Sequence, residues 1–124
     1  MTHRFIGIDH VQLAAPPGCE REARRFFGEW LGMEEMEKPE ALRGRGGVWF
    51  KCGAHQLHVG VQSDFTAASK AHPAFEVNGI EALRGKLEAL GVPIALDAPL
   101  PGAIRFHVND PFGNRIEFVE KDAR

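Results

Sequence analysis

The sequence predicts an α+β domain in which one strand–helix–three-strand module is written twice, the two modules sharing a curved mixed sheet with helices outside. Three observations carry that prediction. Segments whose apolar residues recur every second position alternate with segments of helical period. The order of segments returns after a polar linker at residues 63–70, which separates a module at about 1–62 from one at about 71–121. Individual positions also correspond: HVQLA at residues 10–14 answers HPAFE at 72–76, and Leu31-Gly32-Met33 answers Leu90-Gly91-Val92.

The first strand is expected over residues 5–14 and is broken by Pro16-Pro17-Gly18. A helix follows over about 20–31, where Ala23, Phe26, Phe27, Trp30 and Leu31 form one buried stripe. Gly32 supplies its left-handed stop. Strands are expected near residues 33–38, 47–51 and 55–62, with a Gly- and Arg-rich loop at 39–46. The second module opens with a strand at 71–77. Asn78 and Glu81 read as a capping box for a helix whose apolar face is Ile80, Leu83, Leu87 and Leu90, ended by Gly91. Strands at 92–96, 104–109 and 114–120 complete it, the last two joined by the turn Asp110-Pro111-Phe112-Gly113-Asn114.

Composition excludes several classes. A hydrophobic share of 44% is that of a folded globular chain rather than a disordered one. The net charge of −2 makes no electrostatic case for nucleic acid or an anionic membrane surface. No apolar run approaches the roughly 20 residues that span a bilayer, and Met1-Thr2-His3-Arg4 lacks the apolar stretch of a signal peptide, so a cytoplasmic location is expected. Cys19 and Cys52 read as two inert thiols, and His3 and His55 as ordinary surface or core histidines.

The chemistry lies on one face of four strands. Alternation puts His10, Gln12 and Ala14 together in the first strand, and Gln56, His58 and Gly60 together in the fourth. His72 and Ala74 share a face in the fifth, and Arg115, Glu117 and Val119 in the last. Polar side chains on the inner face of a sheet are costly unless they are paired or bind something. Three imidazoles and a carboxylate at duplicated positions point to a divalent metal at His10, His58, His72 and Glu117. Such ligands suit Fe, Mn, Ni, Co or Zn and leave positions open for substrate. The 44–47 stretch, Gly-Arg-Gly-Gly, is not a phosphate loop, but Arg43 and Arg45 are candidates for a cationic lid over an anionic substrate.

With these residues in view, the chain resembles the vicinal-oxygen-chelate superfamily, which holds glyoxalases, bleomycin-resistance proteins and dioxygenases. The matching pieces are IDHVQLA at 8–14, FFGEWLGM at 26–33, QLHVG at 56–60, HPAFEV at 72–77, EALRGKLEALGVPI at 81–94 and NDPFGNRIEFVE at 109–120. The resemblance implies paired βαβββ modules forming a cup-shaped sheet around a metal. It makes His10 the first-strand ligand, His72 the ligand that opens the second module, and Glu117 the final-strand ligand. His58 falls where related enzymes place a Glu or Gln, as a ligand or an acid/base group. His107 matches a substrate-contacting position, with Gln12 and Gln56 as further substrate-binding candidates. A homodimer is implied as well.

The same resemblance implies a small-molecule enzyme of the glyoxalase-like lyase/isomerase type, with Glu117 and His58 as catalytic residues. An extradiol-type dioxygenase or a thiol transferase on the same ligands is the alternative among enzymes, and a ligand-sequestering protein of the bleomycin-resistance kind is the alternative outside them.

Overall fold

The computed structural model describes residues 2–122 as an α+β chain in two compact units, Met1–Ser63 and Asp64–Arg124. In the first unit, strand β1 (His10–Ala15) leads into helix α1 (Glu20–Ala23), which continues as a π-helical stretch, Arg24–Trp30. Strands β2 (Glu35–Met36), β3 (Val48–Cys52) and β4 (His55–Val61) follow, with a 3₁₀ helix, Glu40–Arg45, between β2 and β3. The sheet order is β1-β4-β3-β2; β1 runs parallel to β4 and the other pairs are antiparallel.

The second unit contains β5 (Ala74–Glu76), α2 (Ile80–Ala89), β6 (Ala103–Asn109) and β7 (Arg115–Lys121), in the order β5-β7-β6. Its first strand again lies parallel to its last, and its hairpin is antiparallel. The order β1-β4-β3 of the first unit thus returns as β5-β7-β6 in the second, with no named strand in place of β2.

Each sheet buries one apolar face. Phe26 and Phe27 of the helix pack with Val48, Phe50, Leu57 and Val59 in the first unit. Ile80 and Leu87 of α2 cover a face made by Phe75, Phe106, Val108, Ile116 and Phe118 in the second. At roughly 1.5–3 kcal/mol per buried large side chain, these faces are the main drive for sheet formation.

Several elements differ from expectation. The first strand begins at His10, because Phe5, Ile6 and Ile8 are exposed and meet no strand within their unit. The first helix changes to i→i−5 bonding, with the Leu31 N–H donating to the Phe26 carbonyl at 2.9 Å. The 33–38 strand shrinks to two residues, and the 39–46 loop contains the 3₁₀ helix. Residues 92–96 make only one bridge, Ala95 to His107, since Pro93 has no N–H to extend it.

The capping box at Asn78 is not made. Gly79, at φ +81°, starts α2 without a side-chain cap from its own segment. The Glu120 carboxylate accepts from the Gly79 and Ile80 N–H groups instead, at 3.1 and 2.9 Å. A tertiary contact from the end of β7 thus replaces the local cap.

The turn between β6 and β7 holds the register. Asp110 Oδ1 accepts from the N–H groups of Phe112 and Asn114, and its Oδ2 from the Asn114 side chain. Among the described residues no helix is long and apolar enough to cross a membrane.

Candidate metal centre

The β6–β7 hairpin presents Phe106, Val108, Ile116 and Phe118 to the core, so alternation turns Arg105, His107, Arg115 and Glu117 to its other face. His107 and Glu117 are direct partners in the register. Ala74 of β5 flanks Glu117 from the other side, and His72 lies two residues ahead of that strand. The result is a cluster of His72, His107 and Glu117 whose three potential ligand atoms all lie within 4.8 Å of one another.

Hydrogen-bond partners define what each atom offers. His72 Nδ1 lies 2.8 Å from the Lys70 carbonyl, which can only accept, so this nitrogen carries the hydrogen. A neutral His72 ring then turns the lone pair of Nε2 towards Glu117 Oε1, 2.9 Å away. His107 Nε2 accepts from the Arg115 guanidinium at 3.2 Å, and the same atom is 3.2 Å from Glu117 Oε1. His72 Nε2 and Glu117 Oε1 turn lone pairs towards each other, a repulsive contact without a proton or a cation between them, while the one lone pair of His107 Nε2 is held by Arg115 and ligates only when that bond is given up. A proton on His72 Nε2, or a divalent ion within the cluster, relieves it. The donor set, two imidazole nitrogens and a carboxylate oxygen, therefore fits a first-row metal.

Electrostatics favours the protonation states that a metal requires. Burial works to raise the Glu117 carboxyl, yet the His72 hydrogen bond, His107 and Arg105 together hold it below the ordinary carboxylate range. Burial, and then the Arg115 guanidinium, push the His107 imidazole below its ordinary value. A neutral imidazole beside an ionised carboxylate is the ligating form. Arg105 stands 3.6 Å from Glu117 Oε2 and donates twice to the Ala98 carbonyl. Asp97 lies 3.8 Å from Arg105 and 3.3 Å from Arg115, and the Ala98 N–H and then those guanidiniums keep its carboxyl low.

The remaining expected residues cluster in the first unit. His58 of β4 is buried between the rings of Trp49 and His10, stacked at 3.7 and 4.2 Å. Its Nε2 bonds the Gln56 side-chain oxygen at 2.8 Å, and burial, then the neighbouring His10, lowers its pKa against a pull from Asp9. Asp9 takes the Nδ1 hydrogen of His10 at 2.9 Å, which leaves Nε2 as the basic atom. Gln12 pairs in register with His58, and the missing side chain of Gly60 makes room for it. Arg43 bonds the Lys38 carbonyl and lines an open pocket of about 350 Å³ with Glu20, Lys38 and Trp49; Arg45 is exposed at the end of the same 3₁₀ helix. Cys19 is buried, and burial followed by Glu20 raises its thiol, the condition of an inert cysteine.

His107 joins the ligand-type cluster, where sequence reasoning gave it only a substrate contact. A signal was available: residues 107 and 117 are each five positions from Phe112, the middle of the turn, so a regular hairpin pairs them. Alternation had already put Arg115 on the face of Glu117, whereas Arg105 as a neighbour of the cluster was missed for the same reason.

The fold has close counterparts. A crystal structure of a glyoxalase family protein from Bacillus anthracis is 53% identical, covers 98% of this chain and 100% of its own, and superimposes with a TM-score of 0.94. A lactoylglutathione lyase from Agrobacterium tumefaciens (22% identity, 95% and 96% covered, TM-score 0.75) and a glyoxalase/dioxygenase from Nostoc punctiforme (18%, 95% and 92%, 0.77) share the fold. No protein-family model and no curated protein matches the chain. The duplicated topology is that of the vicinal-oxygen-chelate superfamily. Within it, the chain belongs to the glyoxalase family.

Proposed function

We propose that this protein is a metal-dependent, glyoxalase-like enzyme of the lyase/isomerase type, acting on a small molecule with two adjacent oxygens. The gathering of His72, His107 and Glu117, whose potential ligand atoms lie within 4.8 Å of one another, carries the reading. A sequestering cleft without metal has no use for that arrangement. The assignment of His10 and His58 as further ligands, or of His58 as an acid/base group, is part of the proposal and is tested by the metal content of His10→Ala and His58→Gln.

A bound divalent ion would act as a Lewis acid on the substrate oxygens and acidify the adjacent C–H. Glu117 Oε1 faces the histidines, while Oε2 faces Arg105. In this reading the Glu117 carboxylate takes a proton from one substrate carbon and returns it to the next, with no net change in protons or electrons. Arg105 keeps that carboxylate ionised before transfer, and His72 stays oriented through the Lys70 carbonyl.

Homodimerisation belongs to the same proposal. The exposed Phe5 (89%), Ile6 (90%) and Ile8 (65%) are the kind of apolar surface that a second copy covers.

Turnover of three substrate classes by metal-loaded and chelator-stripped protein tests the reaction type. The expected result is metal-dependent isomerisation of a 2-oxoaldehyde hemithioacetal. Metal-dependent ring opening of a catechol, or thiol addition to an epoxide, with no isomerisation would overturn it.

A further inference from the structure

We propose that the substrate of this centre is an anion: a vicinal-oxygen compound bearing a carboxylate, which Arg115 binds while Asp97 acts as a counter-ion that the substrate displaces. The inference rests on the metal reading above and names the substrate class of the same site.

The two guanidiniums beside the cluster are not equivalent. Arg105 is committed to the protein: its side chain is 15% exposed, it donates to the Ala98 carbonyl from Nε and Nη2, and its Nη1 faces Glu117. Arg115 is 29% exposed, and both of its contacts, to His107 and to Asp97, run through Nη2 alone. A guanidinium carries five N–H donors in a planar fork that suits a carboxylate. Among the described residues, Nε and Nη1 of Arg115 have no protein acceptor, so a two-point contact is open to a ligand. The backbone of β7 also puts Arg115 two residues from Glu117 on one strand face, so a group on Arg115 lies about 7 Å along the strand from the ligand carboxylate.

Charge balance agrees. With neutral imidazoles, Arg105 and Arg115 cancel Asp97 and Glu117. Adding a divalent ion leaves the centre doubly positive, a state that a neutral diketone does not answer and an anionic chelator does. Asp97 is the counter-charge that a ligand carboxylate would displace from Arg115. It is 46% exposed, sits in the segment before β6, and meets Arg115 only at 3.3 Å, outside the range of a strong charge-assisted bond.

The test compares two chelators with the same metal-binding head, acetohydroxamate and succinic monohydroxamate, the second carrying an added carboxylate. Affinities are measured by displacement on cobalt-loaded protein, with metal content recorded for every sample. The wild type is expected to prefer the carboxylate-bearing probe by about tenfold or more, the worth of one charge-assisted hydrogen bond. Arg115→Gln should remove that preference, read as the ratio of the two affinities on the same metal-loaded sample, Arg115→Lys should restore part of it, and Asp97→Asn should raise the ratio. Equal affinities for the two probes on metal-loaded wild type overturn this inference and leave the metal reading standing. Failure of the wild type to take up cobalt overturns the metal reading and this inference with it. Should Arg115→Gln lose its metal, the wild-type preference and the Asp97→Asn response still decide.

Discussion

His107 and Glu117 face each other across the β6–β7 pairing, Nε2 to Oε1 at 3.2 Å, with both side chains nearly withdrawn from solvent. The tight Asp110 turn sets this register, and a slip of one residue would send one of the two into the apolar core. Burying a carboxylate is costly without compensation, and here Arg105 and the contacts with two imidazoles supply it, to which the proposed metal would add.

The metal-free protein should lose stability in acid in two stages. The His58 and His107 imidazoles titrate below their ordinary 6.5 in the folded chain. Below that pH the unfolded chain binds protons that the folded chain refuses, so stability falls as pH drops from about 6.5 through the folded values. Glu117 acts lower down: its lowered pKa contributes stability above its ordinary 4.5, and that is lost as pH falls through the folded value. Urea midpoints of stripped wild type and His58→Gln at about pH 8 and pH 5.5 should show the smaller drop in the variant. Equal drops would mean that the buried His58 ring does not control the first stage.

Glu120→Ala should destabilise the protein by about 1 kcal/mol, the usual worth of a helix N-terminal acceptor, while Glu120→Gln keeps an oxygen for Gly79 and Ile80 and costs less. Glu120 points to the α2 side of β7 and Glu117 to the other, so metal content should be unaffected by either change. Reduced metal in Glu120→Ala with normal stability would contradict this division of faces.

Gly47 should be far less replaceable than Gly18. Both have left-handed backbones, at φ +86° and +83°, where a side chain costs roughly 1–2 kcal/mol. A Cβ on Gly47 would also run into the Val59 carbonyl, and its N–H is held by Glu20 at 2.7 Å, whereas Gly18 faces open space. Denaturant unfolding of the two alanine variants should give a clearly larger loss for Gly47→Ala. Equal losses would show that β3 shifts away from β4 without cost.

Much of this was legible in the chain. Period-two alternation marked β1, β4 and β7, β3 and β6 were expected as strands, and the glycine stops at Gly32 and Gly91 ended both helices. What escaped was tertiary. Nothing near Asn78 reveals that Glu120, forty residues away, caps α2. The π-helical bonding after Ala23 carries the buried Phe26 and Phe27, and helical periodicity does not encode the change of bonding. At the site, alternation found His72 and Glu117 as candidates, but His107 needed the hairpin register to be worked out residue by residue. The roles of Arg105 and Arg115 depend on side-chain reach across strands, which composition and spacing leave open.

The most direct test of the metal centre is elemental analysis after reconstitution with iron, nickel, cobalt, manganese or zinc, on wild type, His107→Ala, Glu117→Ala and the Glu120→Ala control. The account predicts about one ion per chain in wild type and control, and loss of most of it in the other two, since each removes one of three ligands from an open site. A wild type that binds none of these metals, or a Glu117→Ala protein that keeps its full complement, would contradict it.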